Sequence, residues 1–170
     1  MLTKENTKTY AFIDASNIIY GCTRAGWKMD FEKLAEYLKT RYKVQRLLYY
    51  AGLNADNKKQ LGFYEALQKL GYETRLVPVK RYSDGSRKGD VDARLAFEAM
   101  RFSSEYNSAI FLTGDGDYFW LLEYLLEVGK NIRLIGHSIN TARDLKRLFG
   151  SSFIPLENIK HLMVRNEVKK

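Results

Sequence analysis

In the stretch "LTGDGDYFW" (112–120), Asp115 and Asp117 stand two residues apart, each preceded by a glycine and following the apolar run "AIFL". Another acid, Asp14, ends the apolar run "TYAFID" (9–14), and Asp92 stands at the start of the amphipathic segment "DVDARLAFEAMRF" (90–102). Carboxylates gathered at one place repel one another and destabilise the fold unless a cation neutralises them. Hard oxygen ligands of this kind select Mg²⁺ or Mn²⁺ over zinc. Asp14, Asp92, Asp115 and Asp117 are therefore the candidate metal ligands and catalytic acids. Asp90 is set apart, because residues two apart on a helix point about 200° away from each other; it is assigned to capping. Aspartates at helix starts are commonly caps, but Asp14 resists that account, since no helix is expected directly after it. Gly114 and Gly116 are expected to let the backbone turn sharply and a ligand come close.

Positive charge is concentrated elsewhere. The polar segment "KRYSDGSRKG" (80–89) carries Lys80, Arg81, Arg87 and Lys88 with Tyr82 among them, and it leads directly into Asp92. Cations and an aromatic ring beside a metal-binding acid suit a phosphodiester backbone with a stackable base. A further basic segment, 142–170, extends that character, while His137 is expected as a simple loop residue near the rim of the site. Other chemistries fit less well. "GDGDYF" has the first two glycines of a dinucleotide fingerprint but Phe119 at the third, with acids where a pyrophosphate would lie. A phosphatase with an aspartyl nucleophile at Asp14 would carry a second acid two residues on, where this chain has Ser16. There is no Walker A loop, G-x-S-x-G or H-E-x-x-H.

The elements that must position these acids alternate along the chain. Strands are expected at 9–14, 44–53, 72–79, 108–114 and 131–136, with a short one near "SFIPL". Helices are expected at 30–42 (N-capped by Asp30), 57–71 (stopped by Gly71), 90–102, 118–129 and 140–150, with a basic C-terminal helix over 156–170. Pro78 marks its strand as an edge. Such alternation implies crossover connections and a mostly parallel central sheet in a three-layer α/β/α sandwich, an open Rossmannoid arrangement. In these sheets ligands bind beyond the carboxyl ends of the strands, which puts Asp14, Asp115 and Asp117 on one edge. The segment 118–128 is apolar nearly all round, so it is expected either deep in the core or against a second copy in a homodimer; the many tyrosines point the same way.

The chain of 170 residues, 45% hydrophobic and 28% charged, reads as one globular domain over 1–170 with a core at about 8–158. A net charge of +8 attracts polyanions, of which nucleic acid, RNA or DNA, is the commonest candidate. The polar N-terminus has no apolar signal core, no run reaches membrane-spanning length, and the single cysteine, Cys22, has no metal-site spacing; a cytoplasmic protein without membrane contact is the expectation.

Three blocks, "FIDASNI" (12–18), "KGDVD" (88–92) and "LTGDGDYFWLLEYLLEVGKNIRLIG" (112–136), together resemble the signature blocks of NYN-domain proteins, in particular the LabA-like group of the PIN-like nuclease superfamily. The tail "SINTARDLKRLFGSSFIPL" resembles the end of that domain, so the likeness spans roughly 8–158. It implies a PIN-like sandwich, an acidic pocket for Mg²⁺ or Mn²⁺, and metal-dependent cleavage of single-stranded or structured RNA. By motif, Asp14, Asp92, Asp115 and Asp117 would be the metal-site acids. Asn17 would be the polar partner after the first acid, Thr113 or Ser16 would orient water or phosphate, and Lys88 would sit near the substrate. A non-catalytic RNA-binding or regulatory module is the alternative, and a phosphatase acting on small phosphoesters the third reading.

Overall fold

Strand β1 (Thr9–Asp14) is buried along its whole length, and its side chains divide between two apolar cores. Ala11 and Ile13 point into one and Tyr10 and Phe12 into the other, as the two-residue period of a strand requires. A strand with no polar face is stable only when covered on both sides. Burying each large apolar side chain contributes roughly 1.5–3 kcal/mol. The computed structural model describes residues 7–81, 87–88 and 90–165, with backbone alone at 80–81 and 87–88.

Around β1 are arranged β2 (Val44–Leu53), β3 (Tyr72–Pro78), β6 (Ser108–Leu112), β7 (Asn131–Gly136) and β8 (Phe153–Pro155), in the spatial order β3-β2-β1-β6-β7-β8. Every pairing in this six-stranded sheet is parallel. Two residues of β4 (Lys80–Arg81) pair antiparallel with two of β5 (Arg87–Lys88) in a separate small ladder. Helices α1 (Ala15–Arg24), α2 (Phe31–Tyr42), α3 (Lys58–Lys69) and α7 (Leu156–Met163) contribute to the first core; α4 (Val91–Arg101), α5 (Phe119–Glu127) and α6 (Arg143–Phe149) contribute to the second. The result is the expected α/β/α sandwich. Strand order reverses between β1 and β6, so the carboxyl ends of these two strands flank the place where such sheets bind ligands.

Several expectations need correction. A helix, α1, begins directly after Asp14. Its sequence "ASNIIYGCTR" carries β-branched residues and a glycine, which weakened the local signal; burial of Ile18 and Cys22 supplies what propensity does not. Helix α6 starts only at Arg143, because the preceding turn is tied back to the sheet: the Thr141 N–H donates to the His137 carbonyl and the Ala142 N–H to the Gly114 carbonyl. The C-terminal helix stops at Met163, not 170. Val164 forms an antiparallel bridge with Met29, the Arg165 N–H donates to the Lys28 carbonyl, and the Lys33 ammonium donates to the Val164 carbonyl. Residues 166–170 lie outside the described residues.

Helix α5 is not buried all round: Leu122 and Leu125 are in the core, whereas Trp120, Tyr124 and Val128 are exposed. Nor do the tyrosines form a surface. Seven of the twelve (Tyr10, Tyr49, Tyr50, Tyr64, Tyr72, Tyr106 and Tyr118) are core residues, so their number says nothing about a partner.

Candidate metal centre

Asp14 is the last residue of β1 and the N-cap of α1 at once. One carboxylate oxygen accepts from the backbone N–H of Asn17 at 3.3 Å and from the Ser16 hydroxyl at 3.1 Å. The other accepts from the Thr113 hydroxyl at 2.9 Å. The capping account rejected on sequence grounds therefore holds, and it coexists with a role in the acid cluster: the first turn of α1 aims free N–H groups at the carboxylate and fixes it.

The loop after β6 is tied to the same turn. The Gly114 N–H donates to the Asn17 side-chain oxygen at 2.8 Å, and the Asp115 N–H donates to the Thr113 hydroxyl at 3.2 Å. Thr113, fully buried, thus bridges Asp14 and Asp115. Asp115 caps the short 3₁₀ turn Gly116–Tyr118, accepting from the Asp117 N–H at 3.0 Å. Gly114 does not have the left-handed backbone expected of a sharp turn. Its function is space: a Cβ there would lie 2.7 Å from the Thr141 hydroxyl and 2.9 Å from the Thr141 Cα, so the glycine admits the chain's own loop rather than a ligand.

Asp92, in the first turn of α4, is reached by the hydroxyl of Tyr118, which donates to it at 2.9 Å. Tyr118 is buried, so Asp92 is oriented by a rigid donor from the neighbouring element. Asp90 occupies the N-cap position of α4, but its side chain makes no capping bond; the separation of the two acids follows the helical geometry, while the cap itself is unused.

Asp14, Asp92 and Asp115 each offer a carboxylate oxygen, and these atoms lie within 4.8 Å of one another. Asp14 is 1% exposed, Asp115 half-buried and Asp92 exposed. Asp117 stands outside this trio, exposed. Burial pushes the Asp14 carboxyl above its ordinary value; the donors from Thr113 and the Asn17 backbone pull it back, the charge of Asp92 pushes it up again, and Ser16 lowers it a little. Burial likewise raises the Tyr118 hydroxyl, with the charges of Asp14, Asp92 and Asp115 adding to it, so Tyr118 stays a donor. An all-carboxylate set, one of its members buried and resisting ionisation, fits a hard divalent cation, which would neutralise the repulsion that desolvation magnifies.

The remaining expected residues divide clearly. Ser16, Asn17 and Thr113 are at the cluster. The side chains of Lys80, Arg81, Arg87 and Lys88, and all of Tyr82, lie outside the described residues, although the β4–β5 ladder places their backbone shortly before α4. His137 is not a rim residue: it is buried, 3.4 Å from a Glu157 carboxylate oxygen, with its ring packed where Gly21 has no side chain. Cys22 is buried, and burial pushes its thiol up to about 12, so it is no nucleophile. Tyr118 was not anticipated. The only trace of it in the sequence is an aromatic residue directly after Asp117, which does not indicate a partner 26 residues away.

Residues 8–157 match the family profile of the NYN domain. Over 164 residues the chain is 26% identical to the low amplitude and bright protein LabA of Synechococcus elongatus, covering 92% of this chain and 87% of that protein. It also superposes on the crystal structure of a Vibrio parahaemolyticus protein of unknown function with a TM-score of 0.81 and 24% identity, covering 97% of this chain and all of that one, a likeness of fold.

Proposed function

The chain belongs to the NYN domain family, within the PIN-like nuclease superfamily, and we propose that it is a divalent-metal-dependent ribonuclease acting in the cytoplasm. The observation that carries this reading is the convergence of Asp14, Asp92 and Asp115 at the reversal of strand order in a chain of net charge +8. Those three residues would hold the ion, Mg²⁺ or Mn²⁺, and Asp117, exposed two residues after Asp115, would add negative charge beside it. Once bound, such an ion supplies positive charge against the scissile phosphate and makes water easier to deprotonate.

The protein's own groups do the rest. Thr113, Ser16 and the Asn17 backbone hold Asp14 in one rotamer, so its charge is presented without reorganisation. Tyr118 does the same for Asp92. The half-buried Asn17 amide, whose oxygen accepts from the Gly114 N–H, has its NH₂ to offer a phosphate oxygen, whereas the Ser16 hydroxyl proton is committed to Asp14. Lys80, Arg81, Arg87 and Lys88 supply sequence-independent affinity for the backbone of the strand.

A phosphatase is disfavoured by the same geometry. Two residues after Asp14, where such an enzyme would carry its second acid, stands Ser16, whose hydroxyl donates to Asp14 at 3.1 Å and cannot serve as a carboxylic acid for the leaving group. The test is incubation of the full chain with single-stranded RNA and Mn²⁺. Cleavage should appear, stop with chelator, and fall at least 100-fold in Asp14→Asn. Cleavage that survives this substitution, or that appears under no divalent ion, defeats the proposal. Binding without cleavage would instead mark a non-catalytic RNA-binding module.

A further inference from the structure

Among the described residues the three most exposed aromatic rings are Trp120, Phe97 on α4 and Tyr20, and Tyr20 and Trp120 stand on the helices that follow the strand-end acids Asp14 and Asp115, one on each layer of the sandwich. Tyr20 on α1 is 61% exposed and Trp120 on α5 is 77% exposed. Neither contributes its surface to a core, and exposed rings of this size call for a partner.

Their placement follows from helix geometry. Ser16, Tyr20 and Arg24 are spaced four residues apart, so they stand one above another on α1. Ser16 donates to Asp14 at the bottom of this row. The Arg24 guanidinium lies 5.7 Å from the centre of the Tyr20 ring, which makes no other ring contact among the described residues. From the acid outward, the face therefore reads hydroxyl, ring, cation. On the other layer, Trp120 follows exposed Asp117 by three residues, about one turn. Tyr118 is buried against Asp92, and Trp120, two residues later, must point the opposite way, out into solvent. Among the described residues its one ring contact is with Phe119, nearly perpendicular at 5.5 Å.

We infer that Tyr20 and Trp120 are base-stacking platforms on either side of the acid cluster, with Arg24 taking a phosphate beyond Tyr20, so that the substrate is a single strand with unpaired bases. This deepens the ribonuclease proposal and rests on its reading of the cluster as an RNA site. A stacked base is sequence-tolerant because every base has a π-face. In a duplex each base is already stacked between neighbours, and a lone side chain cannot compete without paying for unpairing. The net charge of +8 and the cation over Tyr20 favour a polyanion over an apolar protein partner.

The experiment measures binding of the full chain to a fluorescein-labelled RNA oligonucleotide in chelator, single-stranded and as a duplex of equal length, for wild type, Tyr20→Ala, Tyr20→Phe, Trp120→Ala, Trp120→Phe and Arg24→Ala. The wild type should prefer the single strand. Each ring-to-Ala change should weaken that binding about tenfold, with the Phe variants recovering most of it. Single-stranded RNA should also quench tryptophan fluorescence in the wild type and not in Trp120→Phe, since the only other tryptophan, Trp27, is buried. Equal affinity for duplex, losses under twofold, or a change of oligomeric mass in Trp120→Ala without loss of RNA affinity overturns the inference. The two proposals fail differently. Ring-dependent binding without Mn²⁺-dependent cleavage leaves the platforms standing and removes the nuclease; metal-dependent cleavage with unaltered binding by the ring variants does the reverse.

Discussion

Asp14 combines three duties that usually fall to separate residues: it ends a strand, caps a helix and contributes to an acid cluster. Its carboxyl is raised above the ordinary value by burial first. A group with a raised acidic pKa opposes folding when ionised, so the protein without a cation carries this penalty at neutral pH and is relieved of it by protonation or by metal. Titrating Mn²⁺ at pH 7 should therefore raise the Tm, by roughly 2.7 kcal/mol of stability at a hundredfold excess over Kd. The effect should vanish in Asp14→Asn. It should also fade on acidification sooner than ordinary aspartates would allow, because protons compete for a carboxylate that takes them up at higher pH. Calorimetric melts across pH check this, and an equal metal effect in Asp14→Asn would refute it. In the same titration Tyr118→Phe, which releases Asp92, should weaken metal affinity by about tenfold.

At the scale of elements, α1 shows how a tertiary contact overrides propensity. Replacing a glycine inside a helix with alanine ordinarily stabilises by up to about 1 kcal/mol. Gly21→Ala should instead destabilise by about 1–3 kcal/mol, because its Cβ would collide with the His137 ring in a packed core; chemical denaturation gives the sign directly. Helix α4, which carries Asp92, is held to β2 and β3 by an ionic network. The Glu98 carboxylate accepts from Tyr50 at 2.9 Å, Arg75 at 2.9 Å and Arg94 at 3.1 Å. Burial pushes Glu98 up, but these three donors outweigh it and its carboxyl ends below the ordinary value. A depressed carboxyl stabilises the fold above its unfolded-state pKa, near 4.5, and loses that contribution as pH falls through the lower folded value. Glu98→Ala should cost about 3 kcal/mol at pH 7, and its gap from wild type should narrow below pH 4.5 in urea melts. A gap independent of pH would mean that packing, not charge, is what Glu98 contributes.

For the whole molecule, a net charge of +8 on a fold with three aspartates gathered at one rim separates attraction from chemistry. Binding of single-stranded RNA should weaken linearly in log–log terms with salt, by about 0.7 for each phosphate engaged. Arg24→Ala should reduce the slope by about that amount, whereas Tyr20→Ala should shift affinity and leave the slope in place. Anisotropy titrations over a range of KCl concentrations separate the two.

What the sequence determined by itself was local and periodic. The apolar run of β1, the Asp30 cap, Gly71 in a left-handed conformation just past α3, and the edge position of the Pro78 strand were all legible, because each depends on residues a few places apart. The strand–helix alternation fixed the sandwich, and with it the edge to which Asp14 and Asp115 belong. The tertiary structure alone decided which acids meet. Asp92 joins Asp14 and Asp115 while Asp117 stays outside, because Tyr118 reaches across from α5's start to α4 and because Thr113 bridges two strand ends. It alone decided that His137 is interior and that the helix after Leu156 gives way to a bridge with Met29. Such contacts join residues distant along the chain, and their energies come from packing and burial that exist only once the layers have closed.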